Sequence, residues 1–359
     1  MNVGRISSRI ALALLLFTPA CSDDASAPEA DAGDDRGGRV IPDAAGVDIL
    51  EEDGSTDAAD VLAEVGPDVD AADDPEVDAP DLGDDPCDED GDGYRALRCG
   101  GNDCDDSSIR DNPGAAERCD FVDNNCSGDN NEGIVCEFYA LTGENFDTGL
   151  AAGLYLVDPF RAVYTRINDV PAGSFDFDTT SDGTLYSMTA EALFRYDDGN
   201  DRWVNVANIA GEATNANGLA IDSGDVAYVT AENNVFEVDL NDGTIREIGQ
   251  MGSDAGVDFY SSGDCVVDKN DVLYVSSRYG GFDDERDCLV RVDTATGRGT
   301  FLGVLSHDRV YGLTSAWGFM FGLTSSGELL NIDPVEGTST LIGNLDELRF
   351  FGAASTPGR

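Results

Sequence analysis

The chain contains one histidine, His307, and one lysine, Lys269. Mechanisms that need several imidazoles, or a lysine paired with histidine, are therefore excluded. Bases are scarce altogether: 21 Lys+Arg stand against 72 Asp+Glu in 359 residues, a formal net charge of −51. A phosphate backbone would be repelled, which excludes nucleic acid by the usual electrostatic route. No apolar run reaches the roughly 20 residues that a membrane-spanning helix needs. Residues 22–86 contain no aromatic side chain at all.

What is present divides the chain into four stretches. Residues 1–20 carry Arg5 and Arg9, then a short apolar core from Ile10 to Phe17, and end at Ala20 before Cys21. This reads as a secretory signal. The small residue before Cys21 resembles the lipobox of bacterial lipoproteins, which implies a diacylated Cys21 as the first mature residue and a lipid as the membrane anchor. Ser22 after it resembles outer-membrane sorting, so the expected location is exported and lipid-anchored, at the outer membrane or cell surface. Residues 21–86 hold Asp, Ala, Pro and Gly with scattered Val. Low hydrophobicity and high charge cannot offset chain entropy, and the stretch is expected to be a disordered acidic linker.

Six of the nine cysteines crowd into residues 87–136: Cys87, Cys99, Cys104, Cys119, Cys126 and Cys136. An exported segment with so little apolar core reads as a disulfide framework. Six cysteines allow 15 connectivities, among which spacing does not choose. A thiolate metal site is the alternative, but no CxxC pair is present. Oxygen donors lie between the cysteines. Asp88, Asp90 and Asp92 occupy positions 1, 3 and 5 of a turn with Gly93 at 6, and the Tyr94 carbonyl is the next donor. That is the first half of an EF-hand loop. Its twelfth position is Cys99, so the closing ligand must come from elsewhere, and Asp103, Asp105 and Asp106 are the candidates. A second loop repeats the spacing with Asp123, Asn125 and Ser127, with Asp129 or Glu132 to close it. Hard oxygen donors without histidine favour Ca²⁺ over copper or zinc. The plainer reading is an acidic turn in which Asp and Asn satisfy backbone amides.

The stretch resembles the metal-binding repeat of many myxobacterial secreted proteins, catalogued with a methanotroph copper-binding surface protein. It matches that pattern at Asp88 to Tyr94, Asp103 to Asp106, Pro113 to Asp120, and Asp123 to Gly128. It departs at Phe121, Ser127 and Asn131, which weakens the second loop. The copper label finds no support in the donor type, and calcium is preferred.

Residues 137–359 repeat. One phrase recurs as Leu154–Asp158, Leu193–Asp197, Val235–Asp239, Leu289–Asp293 and Leu329–Asp333, and Gly243, Gly297 and Gly337 follow three of these Asp residues by four. A second phrase is anchored at Tyr139, Tyr186, Tyr228, Tyr274 and Phe321, spaced by 47, 42, 46 and 47 residues. Alternating β-branched and aromatic residues between Asp/Gly/Asn clusters predict strands and tight turns. Four short strands per period of about 45 residues is the propeller signature. Inner strands are expected at Ser174–Asp178, Gly218–Asp222, Gly263–Asp268 and Val310–Thr314. The first blade lacks one, and Phe350–Ser355 at the C-terminus supplies it. The fold expected is all-β: a five-bladed propeller, loosely similar to NHL/YVTN-type repeats, preceded by the metal-binding module and the linker. A continuous sandwich is the alternative.

Two further expectations concern chemistry. Asp178, Asp222 and Asp268 are read as equivalent residues at the channel mouth, engaged in turns, with a glycosidase-like hydrolase or a lyase as the alternative use. Cys265 and Cys288 form an isolated pair expected to be a disulfide, provided that Cys288 precedes its strand, because inner and third strands lie too far apart. His307 is expected in an exposed loop. The overall reading is a non-catalytic surface lipoprotein in which a calcium-binding module presents a propeller to a protein or glycan ligand.

Overall fold

Short segments such as Ala227–Ala231 and Leu273–Arg278 form strands because β-branched and aromatic residues pack well on a pleated surface, while Asp, Asn and Gly at their ends favour turns. The computed structural model describes residues 85–279, 286–345 and 347–355. The expected signal segment, Cys21 and the acidic linker, save its last two residues, lie outside the described residues.

Five four-stranded antiparallel sheets form the blades of a propeller. Blade 2 runs Ser174–Thr179, Leu185–Thr189, Ala192–Asp197 and Arg202–Asn208 from the axis outward. Blade 3 begins at Ala216–Ile221, blade 4 at Ser261–Val267 and blade 5 at Val310–Ala316. Blade 1 takes its inner strand, Phe350–Ala354, from the C-terminal end of the chain. That strand pairs antiparallel with Phe138–Thr142, Ala353 lying opposite Ala140. The ring is thus closed by the two ends of the domain, as expected from the sequence, and no inner edge is left open.

Burial falls from the axis outward. The second strand of blade 3, Ala227–Ala231, is buried throughout, whereas its outermost strand, Ile245–Gln250, is half to fully exposed. Cores form between neighbouring blades. Met188, Leu193 and Ile209 of blade 2 pack with Leu219 and Val229 of blade 3, and Phe138 and Tyr155 of blade 1 pack with Phe321 and Leu323 of blade 5.

The inner strands approach one another closely at glycines. A Cβ on Gly218 would lie 3.1 Å from the Cys265 nitrogen, and one on Gly263 would lie 2.6 Å from Tyr311 Cα. Gly312 and Gly352 hold the same place in their strands as Gly218, whereas blades 2 and 4 carry carboxylates there, Asp176 and Asp264.

The recurring Asp residues start hairpins. Asp239, Asp293 and Asp333 each accept a backbone N–H two residues on, and their carbonyls accept from Gly243, Gly297 and Gly337. Those glycines have φ of 73°, 76° and 64°, which favours a residue without a Cβ. Three sequence expectations need correction. Asp178 is not equivalent to Asp222 and Asp268. Those two cap turns, whereas Asp178 accepts the Ile221 N–H of the next blade at 2.7 Å. Cys265 and Cys288 are free, buried thiols. Cys288 sits inside the third strand, Arg286–Val292, opposite Ser277, whereas Cys265 lies opposite Val275, so the one arrangement that permitted a bridge is absent. His307 is half-buried in the strand Gly299–Asp308, with Nδ1 3.0 Å from Ser339 Oγ.

Candidate metal centre

Residues 85–136 contain no strand of the propeller type and only one short 3₁₀ turn, Leu97–Cys99, among the described residues. Three disulfides do the work of a core: Cys87–Cys99, Cys104–Cys126 and Cys119–Cys136, with Cα separations of 5.9, 5.6 and 5.5 Å. All six expected cysteines are therefore paired, and none is a thiolate donor.

The first loop is shaped by its own carboxylates. Asp90 Oδ1 accepts the Asp92 N–H at 3.1 Å, Asp92 Oδ1 the Tyr94 N–H at 2.8 Å, and Asp88 Oδ2 the Gly93 N–H at 3.2 Å. Gly91 and Gly93, at φ of 77° and 91°, allow the chain to turn this tightly. One oxygen of each carboxylate is thus fixed by backbone. The other oxygens, Asp88 Oδ1, Asp90 Oδ2 and Asp92 Oδ2, are buried and have no hydrogen-bond partner among the described residues. Ligand atoms of these three residues lie within 4.8 Å of one another.

The closing arm has the same design. Asp103 pairs in a parallel bridge with Ala96, and its Oδ1 accepts the Asp105 N–H at 3.0 Å. Its Oδ2 is buried and unpartnered, in a residue only 1% exposed. Asp106 Oδ1 accepts the Glu89 N–H at 3.1 Å, which ties the arm to the loop, and its Oδ2 faces Arg98 at 2.5 Å. Burial raises the Asp90 carboxyl above its ordinary pKa, and the charges of Asp92, Asp88 and Asp106 add to the effect. Asp103 is raised by burial and then by Asp92, Asp90 and Asp106. Asp88, Asp90 and Asp92 could each offer a free oxygen to a hard cation, and Asp103, whose carboxyl feels the charges of Asp90 and Asp92, could close the set. The Tyr94 N–H, whose carbonyl was the expected next donor, is fixed by Asp92, and the Tyr94 hydroxyl end lies against Gly114. Asp105 is exposed and serves its own turn through Ser107, outside the cluster.

The second loop is closed by hydrogen bonds of its own. Both oxygens of Asp123 accept backbone N–H groups, from Ser127 at 3.0 Å and Gly128 at 2.7 Å. Glu132 Oε1 accepts from Asn125 Nδ2 at 2.5 Å and Ser127 Oγ at 2.8 Å, and these two bonds hold its carboxyl below the ordinary range. Only Glu132 Oε2 is left without a partner.

Sequence reasoning gave no role to the polar kernel beneath these loops. Glu117 accepts the Asn125 and Asn131 N–H groups at 2.9 and 2.6 Å. Asp111 accepts from Ser108, Arg118 and Asn124. Burial works to raise the Asp111 carboxyl, but those hydrogen bonds and the Arg118 charge outweigh it and hold the pKa low. Asn131, a departure from the repeat, is fully buried and donates to the Asp120 carbonyl at 2.8 Å, which a carboxylate could not do.

Residues 103–132 match the Cu-binding_MopE family model, described as a metal-binding motif. The chain carries a metal-binding motif. Copper's usual imidazole and thiolate donors are missing: the only histidine lies in the propeller, and every cysteine of the module is in a disulfide. No curated protein matches the chain. Solved structures similar to it include a nidogen/laminin complex, at 10% identity and a TM-score of 0.40, covering 61% of this chain and 97% of that one. A Bacteroides thetaiotaomicron protein of unknown function is 13% identical at TM-score 0.41, covering 65% and 64% of the two chains. Virginiamycin B lyase from Staphylococcus aureus is 8% identical at TM-score 0.35, covering 56% and 68%. Likeness at this level carries no argument about ligand or activity, and the propeller assignment stands on strand pairing.

Proposed function

We propose that the chain is an exported, lipid-anchored recognition protein in which a calcium-loaded module carries a propeller that takes a protein or glycan ligand. The observation that carries the calcium part is the set of buried, unpartnered carboxylate oxygens on Asp88, Asp90, Asp92 and Asp103, with Asp106 beside them. Unpaired buried charge is costly, and a cation in their midst turns repulsion into coordination. Anchoring rests on the lipobox-like end at Cys21.

The recognition face follows from where the long connections lie. All inner strands begin at one end of the channel. The ten residues 143–152 and the segment Met251–Tyr260 with its small hairpin open at that end. The opposite end carries short turns. At the long-loop end a cleft of about 480 Å³ between blades 1 and 2 is lined by Phe175, Phe351, Val170 and Pro171. Phe175 is exposed, and the cleft is open enough for a flat ring or a side chain.

The hydrolase or lyase alternative leans on channel carboxylates. Asp178, Asp222 and Asp268 are all engaged with backbone amides, which favours binding over acid–base work. Glycan-array and pull-down screens with the intact calcium-loaded chain test the reading. Capture that is lost with Phe175→Ala supports it. Turnover of a captured glycan would instead favour the enzyme alternative. Membrane fractionation of Cys21→Ser tests the anchor: release into the soluble fraction is expected, and retention would mean a different anchor.

A further inference from the structure

We infer that the metal-binding module acts as a clasp across the seam where the propeller ring closes. Blade 1 and blade 5 meet at that seam, and blade 1 depends there on a strand from the far end of the chain. Phe121 of the module lies edge-on to Phe160 of blade 1, with ring centroids 4.8 Å apart, and to Phe319 of blade 5, at 5.4 Å. Phe160 in turn touches Trp317, Phe319 and Phe321, and Phe321 stacks on Phe138. One aromatic cluster therefore joins the module and both blades. Edge-to-face geometry is the favourable arrangement for such rings.

A second grip is polar. Arg161, in the turn after the third strand of blade 1, donates to the Asn130 carbonyl at 3.1 Å and the Asn131 carbonyl at 2.5 Å. Asp158 holds that guanidinium at 2.7 Å and also accepts the Phe160 and Arg161 N–H groups. The same hairpin Asp thus presents both the aromatic and the cationic contact. A third tie is covalent. Cys119, two residues before Phe121, is bonded to Cys136, which is buried two residues before Phe138.

The clasp sits at the short-turn end, opposite the long loops, so it leaves the proposed recognition face free. It also connects the cation to the ring. Cys104–Cys126 ties the arm bearing Asp103 and Asp106 to the loop whose backbone Arg161 grips. This coupling, though not the clasp itself, rests on the calcium reading.

Thermal unfolding of the full chain tests the clasp, with Trp317 as the reporter in a Trp203→Phe background. Phe121→Ala should lower the propeller midpoint by about 4 °C, the loss of two edge-to-face contacts in a domain of this size. Arg161→Ala, which spares the aromatic cluster, should lower it by about half as much. EGTA should shift Trp317 emission in the parent and leave it unchanged in Phe121→Ala. Parent-like midpoints in both variants would overturn the clasp. A parent chain that takes up no Ca²⁺ would remove the coupling and the calcium reading, while the midpoints of the two variants in EGTA would still decide the clasp.

Discussion

Asp176 and Asp264 share a hydrogen bond at the axis of the propeller, where neither is exposed to solvent. Their other contacts are backbone N–H groups, of Phe177 and Cys265 next in their own strands and of neighbouring inner strands. Asp176 accepts from Leu219 at 2.6 Å, and Asp264 from Leu313 at 2.6 Å and Ala353 at 3.1 Å. All five blades are linked through these two side chains. Two carboxylates can share a hydrogen bond only when one of them carries a proton.

That proton makes stability pH-dependent. Burial pushes Asp264 up to about 8, and burial with the Asp264 charge pushes Asp176 well above the carboxylate range. In the unfolded chain both ionise near pH 4. The folded state therefore binds more protons between about pH 4 and 8, and stability falls as pH rises through that window. The Asp264 contribution is complete below about pH 4 and gone above about 8, and Asp176, raised in the same direction, adds to the fall. Asp176→Asn supplies the donor without a titrating proton. The slope of the melting midpoint against pH should be shallower in this variant. An unchanged slope would show that the pair holds no proton.

Ring closure by the C-terminal strand has a direct consequence. Phe350 is fully buried between blades 1 and 5. Phe350→Ala should cost about 3–5 kcal/mol of propeller stability. Deleting residues 350–359 should abolish the single cooperative transition. A truncated chain that melts like the parent would contradict the closure.

The two propeller thiols should be inert in the native state. Burial drives Cys288 up to about 12 and Cys265 well above its ordinary value, so thiolate is negligible at neutral pH. In a Cys21→Ser background, denatured but unreduced protein should titrate two thiols. Titration of none would restore the disulfide that the structure lacks.

Much of this architecture was legible because the repeats carry physical requirements. The hairpin Asp and the glycine four residues later are imposed by turn geometry, so Asp239/Gly243 and Asp293/Gly297 marked their turns. Phe350–Ser355 was legible as a missing inner strand because its Gly352 aligns with Gly218. Blade 2 misled for the complementary reason. Asp176 replaces that glycine, so Asp178 was aligned with the turn residues Asp222 and Asp268, whose counterpart in blade 2 is Thr180, two positions further on. The disulfide connectivity was not legible, since it depends on how three loops fold over Asp111, Glu117 and Asn124. Phe121 was read as a lost glycine of the second loop, because its partners Phe160 and Phe319 are distant in sequence.

Among the candidate ligands, spacing correctly grouped Asp88, Asp90 and Asp92 but could not choose among Asp103, Asp105 and Asp106. Burial separates them: Asp103 and Asp106 are buried and Asp105 is exposed, which spacing alone does not reveal.

Titration calorimetry of the intact chain with Ca²⁺ tests the central claim most directly. One site of measurable affinity is expected, weakened at least about tenfold in Asp90→Ala and Asp103→Ala because each removes a charged donor. Asp105→Ala and Asp123→Ala should bind like the parent. Absence of Ca²⁺ binding by the parent, or parent-like binding by Asp103→Ala, would contradict the assignment and leave the module a disulfide-stapled acidic turn.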